Sequence, residues 1–86
     1  MPQITLYTTL ICPYCHRAKR LLKRKGVVFQ EIAVDRDPAQ FDIMVNRSRR
    51  YTVPQIFIDD RAIGGYDDLA LLDERGELDA LLELTR

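Results

Sequence analysis

Hydrophobic and polar positions change period several times along the chain, and each change marks an element. Ile4-Thr5-Leu6-Tyr7-Thr8 alternates apolar with polar residues and is rich in strand formers, which predicts a first strand. Beyond Cys12 the period becomes helical: Ala18, Leu21 and Leu22 recur on one face, while Arg17, Lys19, Arg20, Lys23 and Arg24 fill the others. Pro13 suits a first helical residue, and Gly26 is a good stop. Val27-Val28-Phe29 with Ile32-Ala33-Val34 reads as a second strand. Asp37-Pro38 reads as an N-cap followed by the first turn of a second helix, whose apolar stripe is Phe41, Met44 and Val45 and which ends near Arg50. Pro54 stops any helix before it. Ile56-Phe57-Ile58, the turn Asp59-Asp60 and Arg61-Ala62-Ile63 then form a β-hairpin, broken by Gly64-Gly65. Asp67 or Asp68 is the expected cap of a third helix containing Leu69 and Leu72. Gly76 interrupts it, and Leu78, Leu81 and Leu82 mark a last helical segment.

The order is β-α-β-α-β-β-α with a helical tail. Strand, helix, strand implies a parallel pair with a right-handed crossover. Adding the antiparallel hairpin gives an α/β fold: a mixed four-stranded sheet flanked by helices on both faces. Periodicity alone leaves the strand order open. A length of 86 residues fits a single domain spanning 1–86.

Charge changes the picture in one respect. Thirteen basic and thirteen acidic side chains balance, which argues against a dedicated nucleic-acid binder. The distribution is nevertheless uneven. His16 to Lys25 is basic, Arg47, Arg49 and Arg50 form a second basic cluster, and acids outnumber bases from Asp67 onward. These are solvated helix faces or a positive rim that draws an anionic substrate. No apolar run approaches the ~20 residues of a membrane span. Met1-Pro2-Gln3-Ile4 lacks the basic-then-apolar pattern of a secretion signal, so the expected address is cytoplasmic, with no membrane partner.

The chemistry is concentrated in Cys12-Pro13-Tyr14-Cys15, which holds the only two cysteines. Two thiols at this spacing suit disulfide exchange, half a zinc site or, with His16, covalent haem attachment. A structural zinc needs four ligands, and one cysteine pair with one histidine falls short. Haem attachment of this kind needs export and a second axial ligand, and here the motif sits in a βαβ unit. Disulfide exchange fits the setting best. Cys12 lies at the expected helix start, where unpaired N–H groups and the helix dipole favour a thiolate. Cys15 lies a turn inside. Cys12 is therefore the expected attacking sulfur and Cys15 the resolving one. His16 reads as an exposed first-turn residue.

The residues also carry a family resemblance. Tyr7-Thr8 leading to Cys12-Pro13-Tyr14-Cys15 resembles the active site of the dithiol glutaredoxins. Thr52-Val53-Pro54 resembles their substrate loop, and Gly64-Gly65-Tyr66-Asp67-Asp68 their second glutathione-binding turn. The three motifs occur in the family's order, and Cys12 to Lys19 with Thr52 to Asp59 is most similar to the small bacterial glutaredoxin 3 type.

The resemblance implies a thioredoxin-like fold with strand order 2-1-3-4 and a cis bond between Val53 and Pro54. It implies that glutathione binds along Tyr14, Thr52, Val53, Pro54, Gly65, Tyr66, Asp67 and Asp68. The Val53 backbone would pair with the cysteinyl part, Gly65 and Tyr66 would allow close approach, and Asp67 and Asp68 would hold the γ-glutamyl end. The implied activity is glutathione-dependent reduction of protein disulfides and glutathione mixed disulfides. No tightly bound cofactor and no metal are expected. The implied partners are glutathione, glutathionylated or disulfide-bonded proteins (ribonucleotide reductase among the candidates) and, indirectly, an NADPH-dependent glutathione reductase. The expected state is a monomer. The alternatives are a thioredoxin-like reductant recycled directly by a thioredoxin-type reductase, and a glutathione-assisted iron–sulfur cluster carrier, which Pro13 disfavours.

The chain also departs from the family. Many glutaredoxins carry a lysine three residues before the first cysteine, where this chain has Thr9. Arg47, Arg49 or Arg50 are candidates to compensate. Arg49 and Tyr51 replace smaller residues, and Leu10-Ile11 is more apolar than usual, which suits a protein partner.

Overall fold

The computed structural model describes residues 2–84. Its elements are β1 (Ile4–Thr8), α1 (Pro13–Arg24), β2 (Gln30–Ala33), α2 (Pro38–Ser48), β3 (Gln55–Ile58), β4 (Arg61–Gly64), α3 (Tyr66–Glu74) and α4 (Leu78–Leu81). They form one four-stranded sheet in the order β2-β1-β3-β4, as the resemblance implies. β1 and β2 are parallel, joined through α1, while β3 runs antiparallel to both β1 and β4. Among the described residues no helix is long and apolar enough to cross a membrane.

Register distributes the core. Ile4 faces Ile58 and Leu6 faces Ile56 across the β1–β3 ladder. Directly opposed residues share a face, and these four pack with Ala18, Leu21 and Leu22 of α1, Leu69 of α3, and Leu78 and Leu82. The intervening Tyr7 and Phe57 point the other way and pack with Val34 and with Met44 of α2. Their rings meet edge to face at 5.7 Å. Burying each such side chain contributes roughly 1.5–3 kcal/mol, so both faces of the sheet hold α-helix against it.

The first two helices start alike. Cys12 and Asp37 are N-caps whose side chains accept from the N–H three residues on, and each is followed by proline. At the far end of α1, Lys25 Nζ reaches Asp73 of α3 at 2.6 Å and Asp79 of α4 at 2.8 Å. The hydrogen bonds from Lys25 to Asp73 and Asp79 raise the lysine pKa above its ordinary value.

β1 keeps its expected bounds, and two other boundaries differ from the sequence expectation. Both threonines of β1 are buried: Thr5 shares the face of Tyr7, which packs on Met44 of α2, and Thr8 shares the face of Leu6, where its hydroxyl meets Glu31. The second strand is shorter than Val27–Val34: its ladder with β1 runs only from Gln30 to Ala33. Val27 instead donates to Leu22 O and joins the α1-side core, and Val28 is exposed. The cap of α3 is Gly65, and neither Asp67 nor Asp68 takes that place. Asp68 lies three positions inside the helix and its carboxylate accepts from the Gly65 N–H at 2.9 Å, half of a capping box.

Candidate active site

The strand-to-helix turn after β1 carries Cys12 to the N-terminus of α1. Its backbone is extended, with φ −153° and ψ 98°, so the sulfur swings over the first helical turn. Cys15 N–H donates to Cys12 Sγ at 3.1 Å, and His16 N–H donates to Cys12 O at 3.1 Å. The two cysteines form a disulfide, with Cα atoms 5.2 Å apart. Cys12 is 8 % exposed and Cys15 is fully buried, so only one sulfur of the pair has an outward surface.

Opposite that surface lies the loop before β3. The Val53–Pro54 bond is cis. Val53 O stands 3.8 Å from Cys12 Sγ, a contact only, since a disulfide sulfur has no proton to give. Buried Gln55 holds the loop's shape: its Nε2 donates to Thr52 O at 2.9 Å and to Thr52 Oγ1 at 3.3 Å. From the third side comes the start of α3, where Gly64 has φ +114° and a Cβ would collide with the Asp68 carboxylate. Crowding by that carboxylate and the positive φ therefore confine position 64 to glycine. A Cβ on Gly65 would meet only ordinary van der Waals contact with Pro54 O.

These segments enclose an open groove of about 220 Å³. Tyr14, Thr52, Val53, Pro54, Gly65, Tyr66, Asp67 and Asp68 all line it, together with Arg50. Tyr14 and Tyr66 stand with ring centroids 6.4 Å apart, and the Arg17 guanidinium lies over Tyr14 at 5.1 Å. Arg50 donates to Asp68 Oδ2 at 2.9 Å and so joins the Thr52 loop to the start of α3. That guanidinium, then the Gly65 N–H, hold the Asp68 carboxyl below its ordinary pKa despite partial burial.

Arg50 and Gln55 are the residues the motif pattern did not assign to the groove. Arg50 stood out only as one of three basic neighbours of Thr52. Gln55 follows the proline, and nothing local signals that its side chain turns back to Thr52.

Thr9 does not line this groove. It lies on the other side of the active-site turn, beside a recess shared with Leu10, His16, Lys19, Glu31 and Asp35. There the buried Thr8 hydroxyl donates to Glu31 Oε2 at 2.7 Å, and Lys19 pairs with the same oxygen at 3.1 Å. Burial alone would raise the Glu31 pKa. The Thr8 and Lys19 hydrogen bonds and the nearby His16 outweigh it, and the net shift is down. The described residues hold no group of three or more His, Cys, Asp or Glu side chains arranged for a metal.

A disulfide at a helix N-terminus above this sheet defines a thiol–disulfide oxidoreductase of thioredoxin-like fold. The glutaredoxin family model matches residues 4–63, and the chain belongs to that family. It is 57 % identical to Glutaredoxin 3 of Escherichia coli over 83 residues, covering 96 % of this chain and all of that one. Among solved structures, the glutaredoxin of Brucella melitensis is 49 % identical with a TM-score of 0.84, covering 95 % of this chain and 89 % of that one. A buckwheat glutaredoxin–glutathione complex is 27 % identical with a TM-score of 0.87, covering 95 % and 77 %.

Proposed function

We propose that the chain reduces disulfides at the expense of glutathione, with Cys12 as nucleophile and the groove beside it as the glutathione seat. The observation that carries this reading is the convergence of three segments far apart in sequence on one groove, with the Val53 carbonyl at its rim 3.8 Å from Cys12 Sγ. A buckwheat relative of the same fold has been solved with glutathione, which supports the ligand class.

In the reduced protein the Cys12 thiolate attacks a glutathionylated protein, or a protein disulfide, and displaces one sulfur as a thiolate that takes up a proton. The Cys15–N–H bond to Cys12 Sγ and the amide-rich end of α1 stabilise the attacking anion. Cys15 loses its proton and attacks Cys12, releasing the second half of the substrate. The pair has then given up two electrons and two protons. Two glutathiones return them, passing through a mixed disulfide on Cys12 and leaving as glutathione disulfide.

In the groove the backbone N–H and C=O of Val53, beside the cis proline, are offered to the cysteinyl part of glutathione as an added strand's would be. The N–H groups at the start of α3 suit the α-carboxylate, and the acidic Asp67 suits the α-ammonium. Tyr14, Thr52, Pro54 and Tyr66 form the walls. Arg50 stands where Thr9 does not, at the groove, and is the cation available to a carboxylate there.

The test is reduction of a small glutathione mixed disulfide, coupled to glutathione and glutathione reductase. The wild type should turn over and Cys12→Ser should be inactive. Cys15→Ser should keep deglutathionylation and lose reduction of protein disulfides. Activity in Cys12→Ser, or equal loss of both reactions in Cys15→Ser, would contradict the assigned roles.

A further inference from the structure

Arg17, Arg20 and Arg24 recur at i, i+3 and i+7, so they share one face of α1. With Tyr66 they line a recess of about 250 Å³ on the outer side of α1. Tyr66 also lines the groove beside Cys12, so the recess and the groove adjoin at this residue. Among the described residues none of the three guanidinium groups makes an ion pair, although Asp73 and Asp79 lie close enough to α1 to hold Lys25. Arg17 alone has a partner of another kind, the Tyr14 ring. Three like charges on one helix face repel one another, and among the described residues no carboxylate lies within ion-pair distance of them.

We propose that this arginine face is a docking track for an acidic segment of the disulfide-bearing protein substrate, adjoining its reacting cysteine. Charge complementarity selects the occupant: a row of unpaired cations that begins at the active-site turn suits carboxylates in the same chain as the sulfur under attack. The spacing sets where those carboxylates lie. At ~1.5 Å per helical residue, Arg17 and Arg24 stand about 8 and 18 Å along the axis from Cys12. An extended peptide covers ~3.3 Å per residue, so the matching acids fall about two to six residues from the substrate cysteine. The inference rests on the reading of the protein as a reductant of protein disulfides. The exchange is unchanged by it: the substrate disulfide gains two electrons and two protons, and Cys12 and Cys15 lose them.

The test is the single-turnover reaction of the fully reduced protein, without glutathione, with three fluorescence-quenched peptide disulfides. They differ only in carrying Asp, Asn or Lys at the flanking positions. The acidic peptide should react about tenfold faster than the neutral one at low ionic strength, with the ratio shrinking as salt screens the charges. The double variant Arg20→Glu with Arg24→Glu should reverse the order, favouring the lysine peptide while leaving the neutral rate unchanged, which also reports an intact fold. Equal rates for the acidic and neutral peptides in the wild type would overturn the proposal. So would an acidic preference that survives the double reversal, or tighter binding of a short DNA duplex than of the acidic peptide, which marks a general polyanion surface. Failure with all three peptides would remove the exchange activity itself, and the proposal with it.

Discussion

At the scale of the residue, Cys12 has two tasks that its position reconciles. As N-cap of α1 its sulfur satisfies the Cys15 N–H, and as the outer half of the pair it stands beside the Val53 carbonyl at the groove's rim. A serine there keeps a cap and removes the proposed nucleophile, so Cys12→Ser separates chemistry from folding. Gly64 is the other residue with no substitute. Its φ of +114° strains any side chain, and a Cβ would strike the carboxylate that caps α3. Gly64→Ala should lower the unfolding free energy by roughly 1–3 kcal/mol in denaturant titration. An unchanged midpoint would mean that the Asp68 carboxylate can move aside at no cost. The cysteine pair was legible in the sequence because its chemistry lies within four adjacent residues. The Gly64 constraint was not, since it depends on a side chain folded back from the next helix.

At the scale of the element, the groove depends on how the loop before β3 is fastened to α3. Arg50 to Asp68 to the Gly65 N–H is that fastening, and its members are spread over 18 residues. Because the folded Asp68 pKa lies below its ordinary value, the contribution of this link is complete above about pH 5 and is lost as pH falls through the folded pKa. Asp68→Asn should therefore destabilise the protein at neutral pH and flatten its acid limb. Thermal unfolding followed from pH 7 down to pH 2 should show the two proteins converging. A constant gap across that range would show that the carboxylate's charge is not what matters. Element order was readable from periodicity because each helix and strand carries its own apolar pattern. The ends of β2 and α3 were not, because they depend on neighbours: the length of the β1 ladder and a carboxylate capping from inside the helix.

At the scale of the whole molecule, one sheet separates two apolar clusters, and the active-site turn lies where β1 gives way to α1. On the α1 side, Lys25 links three helices through Asp73 and Asp79. Its raised pKa means that this link is present at neutral pH and is lost only as strongly alkaline pH passes the folded value. Lys25→Met should lower the thermal midpoint at pH 7 and bring it together with the wild type's at alkaline pH. An equal deficit at both would assign the loss to packing of the lysine stem. The strand order came from the resemblance, since periodicity places residues on faces but leaves the neighbours of each strand open.

The central claim is that glutathione, once joined to Cys12, lies in the groove between the Thr52 loop and the start of α3. The most direct test is to form the mixed disulfide on Cys15→Ser and map contacts from labelled glutathione by NMR. The geometry predicts contacts to Tyr14, Val53, Tyr66 and the Asp67–Asp68 amides. Contacts instead to Thr9, His16 and Lys19, on the opposite side of the active-site turn, would contradict it.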